Sequence, residues 1–137
     1  ALKQKKHLSL YLGHPLKGEP TMQHDIEIIP GTSGTMGHEL GLVLNYKIPA
    51  SGKPVDLSGA KLVFIASAGG SAVLTKATPD ITWASETGQI VVPFSVENTR
   101  ALGAHSYLKY TLERREGAAQ RLILHGQINV TKVYNDD

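Results

Sequence analysis

A chain of 137 residues with 41% hydrophobic and 19% charged residues has material for one domain with its own core, and with no cysteine it carries no disulfide. The missing thiols also exclude cysteine nucleophiles, cysteine-ligated zinc and iron–sulfur clusters, so metal or nucleophile chemistry would have to come from His, Asp, Glu or Ser. Fourteen Lys and Arg against twelve Asp and Glu, a net charge of +2, is too near balance to argue for nucleic acid.

The charge is unevenly placed. Residues 1–24 hold Lys3, Lys5, Lys6 and Lys17 against Glu19, a net +3, while residues 25–137 carry a net −1. The sequence therefore divides into a basic N-terminal arm, 1–24, and a nearly neutral domain, 25–137. Within the arm, Leu8, Leu10 and Leu12 alternate with His7, Ser9 and Tyr11, the period of a strand that needs a sheet to join. The start "ALKQKKHLSLYLG" has no apolar signal region and no stretch is long and apolar enough for a membrane helix, so the expectation is a soluble protein made in a cytoplasm, with no membrane partner.

From Asp25 onward the apolar period is two, punctuated by Gly, Pro, Ser and Asp. Ile26 and Ile28 open it. The loop "PGTSGTMG" reads as a flexible connection, and Leu40, Leu42, Leu44, Tyr46 and Ile48 then share one face. In "AKLVFIASA" both faces are apolar, which predicts a central or covered strand. "SAVLTK" and "DITWA" follow, the latter with Ile81 and Trp83 on one face. Next, Ile90, Val92, Phe94 and Val96 line a strand whose other face carries Pro93, a residue that cannot donate to a ladder and so predicts a sheet edge or bulge. "ENTRALG" suits a single helical turn. The last pair, "HSYLKYTLERR" and "QRLILHGQINVTKV", predicts a hairpin with Leu108, Tyr110 and Leu112 facing Leu122, Leu124, Ile128 and Val130. Gly126 on that face predicts a bend or room for a large neighbour such as Trp83. The pattern specifies an all-β fold, a single antiparallel sandwich of about seven strands preceded by an extended arm.

Chemistry-bearing motifs are sparse. The histidines at 7, 14, 24, 38, 105 and 125 form no HxH or HExxH, and His105 and His125 meet only if the hairpin register is unusual. "GTSGTMG" is neither a dinucleotide fingerprint nor a P-loop, Pro54 follows the one Gly-Lys pair, and no serine stands in GxSxG. The acids lie in turns or at the C-terminus. Arg114, Arg115 and Arg121 at the hairpin tip are offset by Glu113 and Glu116, which predicts a solvated rim, and Tyr46, Phe64, Phe94 and Tyr110 share inward parity. The expectation is a protein that is not an enzyme and has no cofactor, metal site or nucleic-acid partner.

Several pieces carry a resemblance over residues 39–133. They are the "DLSGA" turn (Asp56 to Ala60), a "TG" turn with an alternating strand (Thr87 to Val96), the approach Thr99, Leu102, Ala104, Tyr107, and a closing strand Leu124, Gly126, Ile128, Val130. In this order they resemble the immunoglobulin-like domains of tailed-phage and prophage virion proteins: tail, neck and baseplate components, including the N-terminal domain of upper-baseplate proteins. The Leu-to-Tyr approach is one that fibronectin-like modules share in making a tyrosine corner. The resemblance implies a structural role in the virion and carries no catalytic residue across.

The arm is the candidate interface: Lys3, Lys5, Lys6, Leu8, Leu10, Tyr11 and Leu12 are expected to dock onto a second copy of the chain or onto another virion protein by extending its sheet. The alternative is a carbohydrate- or cell-surface-binding module, which needs exposed aromatics; Trp83 and Tyr11 are the candidates for a glycan partner.

Overall fold

The computed structural model describes residues 8–11, 22–48 and 51–132, the first of these by main chain alone. Along them run β1 (Leu8–Tyr11), β2 (Met22–Gln23), β3 (Ile26–Ile28), β4 (Gly41–Lys47), β5 (Lys61–Ala68), β6 (Ser71–Ala77), β7 (Thr82–Ala84), β8 (Gln89–Pro93), α1 (Val96–Gly103), β9 (Leu108–Glu116) and β10 (Ala119–Val130). One sheet has the order β1, β4, β8, β7; the other has β2, β10, β9, β5, β6, with β3 also on β10. The chain is mostly β, in two sheets that do not close into a barrel.

A two-residue period places every second side chain inward, and the two inward faces meet in one core. Leu42 and Leu44 of β4 and Ile90 and Val92 of β8 pack in the same cluster as Leu62 and Phe64 of β5, Tyr110 and Leu112 of β9, and Leu124 and Ile128 of β10. Each such side chain removed from water contributes about 2 kcal/mol before the entropy of ordering is counted. As its doubly apolar sequence predicts, β5 is interior, between β9 and β6, with Val63 buried on the face away from the core.

The expected all-antiparallel sheet of about seven strands differs from what is seen. Eight strands follow residue 25, and three pairs are parallel: β1 on β4, β2 on β10 and β3 on β10. Parallel and antiparallel strands share one side-chain period, so pattern alone does not separate them. The boundary expected at 24/25 falls between β2 and β3, both of which lie against β10.

Pro93 is not on an edge strand, since β8 lies between β4 and β7. The amide of Phe94 donates to Leu40 on the β4 side at 3.1 Å, so the ring nitrogen of Pro93 faces the β7 side, beyond the point where Thr82 opposite Val91 begins that strand. No ladder bond is lost there. In the last hairpin the parity breaks at a bulge between Leu122 and Leu124: Ile123 is buried and Leu122 is exposed.

The single turn expected at "ENTRALG" is an eight-residue helix. Ser95 caps it, accepting from the Asn98 amide at 3.1 Å while Asn98 Oδ1 accepts from the Ser95 amide at 2.9 Å, a reciprocal box that stabilises the helix by about 1 kcal/mol. The loop before β4 is not a free connection. Thr99, fully buried on the helix, donates to the Thr32 carbonyl at 2.7 Å and accepts from the Gly31 amide at 3.2 Å, and the Gly34 amide donates to Phe94 O at 2.8 Å.

Candidate functional site

The predicted arm interface is placed only in part. Lys3, Lys5, Lys6 and Leu12 lie outside the described residues. The main chain of Leu8, Leu10 and Tyr11 forms β1, which runs parallel to β4 with Leu8 opposite Leu44, Leu10 opposite Tyr46 and Tyr11 opposite Lys47. An extended segment is thus added to a sheet edge through main-chain bonds, the kind of contact that the notion of a docking arm requires, here made within one chain.

Where β2 passes into β3, the parallel seam on β10 is interrupted, and Gly126 explains how. A Cβ on Gly126 would lie 2.1 Å from the His24 carbonyl oxygen and 3.1 Å from Asp25 Oδ1. The missing side chain therefore makes room for the His24 main chain, not for Trp83. The Tyr110 hydroxyl, opposite Gly126 in the β9 register, donates to that carbonyl. Asp25 Oδ1 takes the Gln127 amide at 2.9 Å, replacing the ladder acceptor lost at the interruption. Burial, followed by the charge of Asp25, raises the Tyr110 hydroxyl above its ordinary range, so it stays a donor.

Burial also lowers the His24 imidazole from its ordinary 6.5, against the opposing pull of Asp25. The folded chain then binds that proton less tightly than the unfolded chain, so stability rises with pH across the window between the lowered folded value and 6.5 and is lost as pH falls through it. The urea midpoint is expected to drop between about pH 7.5 and pH 5.5, and His24→Gln to remove part of that slope. An identical slope in the variant would exclude His24 as the source.

At the other end of the final hairpin, one arginine of the expected rim turns inward. Arg114 has the parity of Tyr110 and Leu112; it pairs with Glu116 and hydrogen-bonds Tyr46 of the opposite sheet, closing the end of the core. Arg115 pairs with Glu113 at 3.0 Å on the outer side.

Trp83 is not an exposed platform. It is half-buried against the core, with a buried Nε1 that has no hydrogen-bond partner among the described residues. Among the described side chains the exposed aromatic is Tyr107, which has 93% of its surface in solvent. It forms no tyrosine corner; the buried tyrosine of β9 is Tyr110. The backbone of Tyr107 has φ 59°, a left-handed conformation that costs a side chain with a Cβ about 1 kcal/mol or more. Beside it opens a cleft of about 560 Å³ lined in part by His105, Lys109, Gln127, Asn129 and Lys132. Sequence parity marks Tyr107 only as a strand-entry residue, and its positive φ has no local signature.

His125 lies opposite Thr111 and Gln23, so the hairpin register does not pair it with His105. Among the described residues no three His, Asp or Glu side chains gather to hold a metal ion, and no helix is long and apolar enough to cross a membrane. No protein-family model matches the chain, and no curated protein matches it.

Proposed function

We propose that this chain is a non-enzymatic assembly subunit of a tailed-phage or prophage virion, an immunoglobulin-like sandwich that docks onto copies of itself or onto another virion protein through its arm and sheet edges. The strand order supports the fold assignment. With β1 and β2 set aside, β3 read as strand A′, β4 as B, β5 and β6 as C and C′, β7 and β8 as D and E, and β9 and β10 as F and G, the remaining order is B, E, D in one sheet and A′, G, F, C, C′ in the other, the arrangement of a variable-type immunoglobulin domain without its C″ strand.

The observation that carries the assembly role is β1. It is a four-residue strand on a sheet edge, 30 residues before its partner β4 begins, held by main-chain pairing that any copy of β4 offers equally. Such a strand exchanges between copies at little cost in contacts, because the contact made is the same one. The charge split adds a basic arm to a nearly neutral body, which favours acidic surfaces as docking partners. At the far side of the other sheet β6 leaves a seven-residue edge, much of it exposed, for a second strand to join.

Sedimentation velocity tests this directly. The full chain is expected to form concentration-dependent oligomers, and a chain lacking residues 1–20, which keeps β2, to remain monomeric. A full chain that stays monomeric across the same range would overturn self-association, and absence of the protein from purified particles by mass spectrometry would overturn the virion assignment.

A further inference from the structure

We propose that the cleft beside Tyr107 is a binding site for an acidic saccharide, a pyranose carrying carboxylate groups; this goes beyond the assembly role and does not depend on it. The first observation is the ring. A tyrosine whose surface is 93% exposed contributes almost nothing to the core, yet it sits on a left-handed backbone that glycine or asparagine would adopt more readily. Strain retained where the side chain packs against nothing points to what that side chain presents to solvent.

The second observation is what stands next to the ring. Gln127 and Asn129 are two residues apart on β10, so both side chains rise from one face of the sheet about 7 Å apart. Each amide offers a donor and an acceptor, which matches neighbouring sugar hydroxyls that also do both. Lys109 lies directly opposite Gln127 on β9, and Lys132 follows β10. His105 adds an imidazole, and among the described residues no carboxylate lines the cleft. Point positive charges beside two amides select an anionic ligand with hydroxyls.

The third observation is size. A cleft of about 560 Å³ falls in the usual range for small ligands and takes one or two sugar rings. Single-stranded nucleic acid, the other anionic ligand that stacks on aromatics, is gripped by a charged groove with successive rings along it. Among the described residues one aromatic, Tyr107, lines this cleft, so the saccharide is the better match.

The test is an amide-resolved NMR titration of the full chain with trigalacturonic acid, run beside cellotriose as its uncharged counterpart and a thymidine hexanucleotide. Trigalacturonic acid is expected to move the amides of residues 106–109 and 127–132, saturably and with weakening at higher salt. Cellotriose should bind about tenfold more weakly. Tyr107→Gly, which removes the ring and relaxes the backbone, should leave the rest of the spectrum in place and weaken binding about tenfold. Lys109→Gln combined with Lys132→Gln should erase the preference for the acidic sugar. The proposal is overturned if trigalacturonic acid gives no saturable shift, if the shifts fall elsewhere or persist unchanged in Tyr107→Gly, or if the oligonucleotide binds the same residues more tightly.

Discussion

Replacing Phe64 with alanine is expected to remove about 4 kcal/mol of folding stability, within the usual range for deleting a buried ring. Phe64 is fully buried on β5, opposite Leu112 in the β9 register. Its ring lies 5.4 Å from that of Phe94, tilted by 59°, and 5.4 Å from that of Tyr110, stacked at 27°. Phe94 follows β8 of one sheet and Tyr110 belongs to β9 of the other, so this trio is where the two layers grip each other. Alanine loses the transfer energy of the ring, both aromatic contacts, and leaves a cavity that two sheets cannot easily collapse around. Phe64→Leu keeps most of the volume and is expected to cost only about 1 kcal/mol. Urea unfolding at fixed protein concentration, with an unchanged denaturant slope, measures both; a loss below about 2 kcal/mol for alanine would mean that the layers are joined elsewhere. A domain of this size has about 5–15 kcal/mol in total, so the alanine variant stands near the margin.

The parts of the fold legible in the sequence are those that depend on neighbours along the chain. Alternation in "AKLVFIASA" marks an interior strand because a strand covered on both faces needs two apolar faces, and β5 has them. The final hairpin is legible for the same reason: its two runs and the turn between them are local. What is not legible depends on partners far away in the chain. Nothing about Leu8 to Tyr11 says that their strand runs parallel to β4, and nothing in "PGTSGTMG" says that Thr99, 67 residues after Thr32, will fasten that loop. Arg114 reads as a solvated charge until Tyr46 of the opposite sheet is seen beside it. Tyr107 is the sharpest case for the candidate site, because the spacing Thr99, Leu102, Ala104, Tyr107 resembles the approach to a tyrosine corner, and Tyr107 forms none. The buried ring of β9 is three residues later, and that register leaves Tyr107 outside as the feature of interest.

Gly126 is the second position where a single atom is expected to cost most, and its effect can be traced to one carbonyl. Adding a Cβ at Gly126 places carbon 2.1 Å from His24 O and 2.7 Å from His24 C, atoms of main chain that cannot swing aside as a side chain can. The β2–β3 junction must then leave β10. It loses the Tyr110 hydrogen bond to His24, the His24 amide bond to His125 O at 2.9 Å, and the Gln127 amide bond to Asp25. A cost of about 3 kcal/mol is expected for Gly126→Ala, combining overpacking with buried polar groups left unpaired. Gly117→Ala is the control: its Cβ meets nothing within 4 Å, so only the positive φ of 60° is strained, at about 1 kcal/mol. Tyr110→Phe separates the cause from simple crowding. In the parent chain it should cost about 1 kcal/mol for the lost bond to His24; in the Gly126→Ala background that bond is already broken, and the same change should cost almost nothing. If the two losses instead add in full, the carbonyl has not moved, and the seam is held by contacts other than the one that Gly126 makes room for.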